Sequence, residues 1–141
     1  LVFFGRMETR KGVIAFCDAM DRLLAEPTLG VRVGDGGLER VTFLGRGAMV
    51  LGKFGVQYVQ ERAQTWGIPW KVVTRLGPVE AKEYLKGEGR LAVMPSRIEN
   101  SPYVVYECAE LGIPFVASNV GGVPDLVHPD DHALALIPPT V

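Results

Sequence analysis

Short apolar runs alternate with helix-patterned segments along the whole chain, and that alternation restricts the fold more than any other feature. The runs Leu1–Phe4, Val41–Leu44, Trp70–Thr74, Leu91–Met94 and Pro114–Ala117 have the length of buried strands, and Ala133–Ile137 reads as a sixth. Between them lie helical signals. From Gly12 to Leu24, Val13, Ile14, Phe16, Cys17, Met20, Leu23 and Leu24 recur at helical spacing. Val56, Val59, Ala63 and Trp66 mark a helix ending at Gly67. Pro78 opens a third helix, carrying Glu80, Ala81, Tyr84 and Leu85 before Gly87. Ser101 and Pro102 read as the N-cap and first turn of a fourth, which runs to Gly112. A Gly121-Gly122 turn and a short helical start at Pro124 follow strand five. Residues 25–40, with Pro27 and Gly30, Gly34, Gly36 and Gly37, read as a loop or small hairpin. Repeated strand–helix units imply an α/β, Rossmann-like fold: a mostly parallel sheet of about six strands with helices on both faces. The 141 residues, 48% of them hydrophobic, suit a single domain over 1–141.

Composition excludes several function classes. The net charge is -1, which gives no overall field for gathering nucleic acid. No apolar run approaches the roughly 20 residues needed to span a bilayer. Cys17 and Cys108 are too few for a disulfide scaffold and lack metal-ligand spacing, so they read as buried thiols in a reducing, cytoplasmic setting. Trp66 and Trp70 read as core. The chain opens on Leu1 rather than Met, with no signal or transit peptide visible, and reads as a piece of a longer protein.

In a parallel α/β sheet, ligands bind outside the carboxyl ends of the strands, so the residues after each strand carry the functional reading. After strand one come Gly5, Arg6, Lys11 and Gly12, beside a helix start. Two cations near free helix N–H groups suit a phosphate or diphosphate, and would equally suit a solvated basic loop. After strand two, Gly45-Arg46-Gly47 resembles a dinucleotide fingerprint only in part. Gly52 is misplaced, and Arg75 ends strand three where a ribose-binding carboxylate should stand. After strand four, Glu99 lies before the helix and Glu107 about one and a half turns inside it, one at the rim and one deeper. Carboxylates accept paired hydrogen bonds from sugar or ribose hydroxyls. The same two could form an acid/base pair, or be ordinary helix and surface charges. Glu107 stands among Val104, Val105, Cys108 and Leu111, and a charge buried there needs a partner or a ligand. After strand five, Gly121 and Gly122 let backbone amides approach a ligand closely. His128 and His132 flank Asp130 and Asp131, but Pro129 breaks the helix that a metal pair would need.

In combination these motifs resemble a known family. Gly5-Arg6-Met7-Glu8-Thr9-Arg10-Lys11-Gly12 is similar to the GR…KG loop of retaining GT-B glycosyltransferases, the group 1 enzymes related to glycogen and sucrose synthases. Glu99 to Glu107 resembles their E-x7-E motif. Gly112-Ile113-Pro114-Phe115-Val116-Ala117-Ser118 with Gly121-Gly122-Val123-Pro124-Asp125 resembles the run that follows it. The resemblance covers most of residues 1–128, in the family's order. It departs at Asn100-Ser101-Pro102, where glycines are common, at Asp125, where Glu is commoner, and in the glycine-rich 25–40 segment.

The resemblance implies roles. Arg6 and Lys11 would hold the diphosphate of a nucleoside-diphosphate sugar and stabilise the leaving nucleotide, with no metal or other cofactor. Glu99 would contact hydroxyls of the transferred sugar, and Glu107 those of the ribose. Backbone near Ser101, Pro102 and Tyr103 would face sugar or phosphate, Gly5, Gly121 and Gly122 would approach the ligand, and the loop from Arg75 to Val79 would bracket the base. A GT-B enzyme has two such domains, and this chain resembles the donor-binding, C-terminal one. The N-terminal half would hold the acceptor: a glycan, a lipid or a small molecule. Peripheral membrane association of a full-length protein fits that scheme, and a nucleic-acid partner does not. The isolated chain is expected to bind nucleotide weakly and not to transfer sugar efficiently. A GT-B-related nucleotide-sugar epimerase and a non-catalytic Rossmann-like binding domain are the rival readings.

Overall fold

A computed structural model describes residues 1–100 and 102–139. In chain order the elements are β1 (Val2–Phe4), α1 (Val13–Ala25), β2 (Val41–Leu44), β3 (Met49–Val50), β4 (Lys53–Phe54), α2 (Gly55–Ala63), β5 (Trp70–Val73), α3 (Pro78–Leu85), β6 (Ala92–Met94), α4 (Tyr103–Glu110), β7 (Phe115–Ser118), α5 (His132–Ala135) and β8 (Leu136–Ile137). Six strands form one sheet in the order β5-β2-β1-β6-β7-β8, and every neighbouring pair is parallel. The chain winds outward from β1 to β5, then returns to the other side of β1 and winds outward again. This is a doubly wound, Rossmann-like sheet, and its topological switch point lies between β1 and β6.

Alternation along each strand sorts side chains between the two faces. Phe3 and Phe43 join Phe16, Cys17 and Met20 of α1 and Val59 and Ala63 of α2 in one core. Edge-to-face contacts hold Phe16 to Phe3 (5.4 Å between centroids) and to Phe43 (5.6 Å), and Trp66 stacks on Phe43 at 6.0 Å. Val2 and Leu44 point the other way, into a second core with Ala81 and Leu85 of α3 and Val105 and Cys108 of α4. Trp66 is buried, whereas Trp70 packs at the margin of the first core. Both cysteines are buried free thiols. Burial pushes Cys17 up to about 12 and Cys108 up to about 11, so neither is a nucleophile near neutrality.

Two local expectations change. Ala133–Ile137 is not one strand, because His132–Ala135 is a short helix and only Leu136–Ile137 pairs with β7. A strand parallel to β7 must return by a crossover, and the turns from Pro124 to Ala135 supply it. The sequence reading also lacked the antiparallel β3–β4 hairpin. Leu51 (φ 49°) and Gly52 (φ 79°) turn it, both in the left-handed region that a tight hairpin requires.

Candidate functional site

The site is assembled at the switch point, from the loops that leave β1 and β6 in opposite directions. Gly12 ends the first loop at φ 77°, just before α1. A Cβ there would stand 1.7 Å from the Pro95 carbonyl oxygen, so only glycine lets the loop after β6 lie against it. The Arg97 amide donates to the Arg10 carbonyl at 2.9 Å, which ties the two loops a second time. A third tie is an ion pair from the Lys11 ammonium to Oε1 of Glu99. The Ser96 hydroxyl donates to that same oxygen at 2.7 Å.

These groups border a cavity of about 290 Å³. Gly5, Arg6, Lys11, Ser96 and Glu99 supply its polar side. Phe4, Met94 and Val123 add apolar wall, as do Pro102, Val104 and Val105 at the start of α4. The N-terminal end of α4, with its unpaired N–H groups and positive dipole, therefore borders the cavity. Arg6 is exposed and makes no ion pair among the described residues, while Lys11 and Glu99 are mostly covered. Such a site can take a ligand that brings its own negative charge to Arg6 and hydroxyls to a fixed carboxylate.

Arg6, Lys11, Glu99 and Gly5 are thus brought together as the sequence suggested. Glu107 is not part of that wall. It is half-exposed on α4 and pairs with Lys82 of α3 at 2.8 Å. Arg75 is exposed beyond the end of β5, on the far side of β2, and Tyr103 is exposed at the first position of α4. Gly121 and Gly122 make their close approach to the backbone of Glu99 and Asn100, where added Cβ atoms would stand 1.7 and 2.7 Å from the two carbonyl oxygens. They hold up the loop that bears Glu99. Ser101 lies outside the described residues. Ser96 escaped the sequence reading because a serine after a proline in a loop carries no pattern of its own.

His132 Nε2 lies 3.0 and 2.9 Å from the carbonyls of Pro124 and Val127, and His128 Nδ1 accepts from the Asp130 amide at 3.3 Å. Among the described residues no group of three or more His, Cys, Asp or Glu is arranged to hold a metal, and no helix is long and apolar enough to cross a membrane. A larger cavity, about 520 Å³, opens elsewhere. It is lined by Leu1, Thr42, Tyr84 and Arg90, at the starts of strands rather than beyond their carboxyl ends. The chemistry of the switch point, not size, selects the smaller one.

The family model for glycosyl transferases group 1 matches residues 1–140, and the chain belongs to that family. Its activity is accordingly of the glycosyltransferase kind. No curated protein matches the chain.

Proposed function

We propose that this glycosyltransferase chain is the donor-binding half of a retaining, two-domain enzyme of the glycogen- and sucrose-synthase type, and that its ligand is a nucleoside-diphosphate sugar. One observation carries the reading: Arg6, Lys11 and Glu99 border a single cavity at the switch point, although 88 residues separate the last two in the chain. Arg6 faces solvent, has no carboxylate partner among the described residues and would meet the diphosphate. Lys11, already beside Glu99, would stand between diphosphate and sugar. When the bond from the sugar's anomeric carbon to the phosphate oxygen breaks, negative charge collects on the departing nucleotide, and these two cations stabilise it. That electrostatic role is one a divalent metal would otherwise fill. Glu99 would accept from hydroxyls of the transferred sugar. Glu107 would accept from the ribose through the oxygen that Lys82 leaves, and Arg75 and Tyr103 would lie further along the nucleotide. A second domain would bring the acceptor and exclude water on closing.

Calorimetric titration with UDP, GDP and ADP tests this. One of the three is expected to bind the chain. The double variant Arg6→Ala, Lys11→Ala should lose roughly 100-fold in affinity, the size of two charge-assisted hydrogen bonds, while keeping its far-ultraviolet spectrum. No binding by any nucleotide to folded protein, or equal affinity in the variant, would refute the assignment.

A further inference from the structure

Ser96 is one of three buried polar residues in the described chain, with Thr42 and Ser118, and the only one that lines the cavity. A buried hydroxyl without a partner is costly, and the partner it has is Glu99. Its backbone is held on both sides: the Pro95 carbonyl packs on Gly12, and the Arg97 amide donates to Arg10. Three residues later the Glu99 carbonyl packs on Gly121. Both ends of the Ser96–Glu99 hydrogen bond therefore hang from a fixed main chain. Lys11 and Ser96 converge on Oε1, and among the described residues no group donates to Oε2. The carboxylate has one oxygen fastened by the protein and one left to accept from a ligand.

We propose that Ser96 is a positioning residue for the sugar moiety of the donor: it fixes the rotation of the Glu99 carboxylate so that Oε2 meets a sugar hydroxyl. Lys11 alone would hold Oε1 with an ammonium that rotates freely and carries no preferred plane. The serine supplies the second direction that turns a charge into an oriented acceptor. This inference rests on the donor reading given above but concerns only the sugar end of the ligand. A diphosphate held by Arg6 does not depend on it.

Affinities for UDP and UDP-glucose, GDP and GDP-mannose, and ADP and ADP-glucose measured on the chain and its Ser96 variants form the test. For the pair that binds, the wild-type chain should prefer the sugar nucleotide over the bare diphosphate. Ser96→Ala should shrink that preference by roughly tenfold, the size of one hydrogen bond to a charged group. Ser96→Thr should restore most of it, because the hydroxyl that donates to Glu99 is kept. Ser96→Cys, nearly isosteric and a weaker donor, should fall between them and serves if the alanine variant does not fold. A sugar preference that survives Ser96→Ala, or an equal loss for diphosphate and sugar nucleotide, overturns the role of Ser96 while leaving the donor reading standing. Failure of the wild-type chain to bind any of the six compounds overturns both.

Discussion

A methyl group is enough to disturb the rim at Gly121. Its φ is 52°, a region that costs an L residue about 1 kcal/mol or more, and its Cβ would overlap the Glu99 carbonyl oxygen at 1.7 Å. Gly112, at φ 64° with nothing within 4 Å of its Cβ, shares the backbone cost without the collision. Chemical denaturation should therefore show Gly121→Ala less stable by about 2–4 kcal/mol and Gly112→Ala by only about 1 kcal/mol. Equal losses would mean that the contact with Glu99 contributes nothing. Most of the polar side of the cavity was legible beforehand, because Arg6, Lys11 and Glu99 follow strand ends and carry charge where an α/β sheet offers a crevice. Ser96 was not, and neither were two further features. The glycines at 121 and 122 read as ligand-facing because a sequence does not say whether the backbone they admit belongs to a ligand or to the protein. The Lys82 partner of Glu107 was hidden for a similar reason, since 25 residues and a change of helix separate the two.

At the scale of elements, α1 and α2 are joined by one arginine. Arg62 reaches across from α2 to Asp18 (2.7 Å) and Asp21 (2.5 Å) on α1, and donates to the Tyr58 hydroxyl at 2.7 Å. The Trp66 indole donates to Asp21 at 2.5 Å. Partial burial works against the guanidinium charge, but hydrogen bonds to the two aspartates outweigh it and raise its pKa above the ordinary arginine value. Arg62→Ala would leave Asp18 and Asp21 as like charges one turn apart on α1 without the guanidinium that pairs them, and thermal unfolding should report a loss of about 1–2 kcal/mol. Arg62→Lys should recover only part of it, because a single ammonium lacks the fork that spans both carboxylates. An alanine variant as stable as the wild type would show the network to be ornamental. The elements themselves were readable to within a residue or two wherever an apolar run or helical period lasted four residues or more, except at the end of α2, which stops at Ala63 rather than at Gly67. The β3–β4 hairpin has two residues per strand and α5 has four, too few for either period to declare itself.

Across the whole molecule, the fold separates charge that the composition averages away. The connections beyond the carboxyl ends of β1, β2, β5 and β6 hold seven cations (Arg6, Arg10, Lys11, Arg46, Lys53, Arg75, Arg97) against two carboxylates, Glu8 and Glu99, whereas the connection after β7 holds three aspartates, Asp125, Asp130 and Asp131. The first four connections carry +5, and since the chain totals -1, the remainder carries -6. A summed charge near zero thus conceals a basic face at the cavity mouth. Raising salt from about 0.01 M to about 1 M shortens the screening length from about 30 Å to about 3 Å. The affinity for the nucleoside diphosphate that binds should fall at least tenfold over that range by calorimetry, with the unfolding midpoint used to separate ligand effects from fold effects. A salt-independent affinity would mean that the rim cations do not act on the ligand. The loops that meet beside the cavity have a further consequence. Because Gly12 seats Pro95, Arg97 bonds Arg10 and Lys11 grips Glu99, the cationic and acidic walls form one preassembled jig. Neither wall can be lengthened or re-aimed without unseating the other, so adaptation to a different sugar has to proceed by exchanging side chains on an unchanged frame, and insertions are left to stretches such as 25–40 that bear on neither wall.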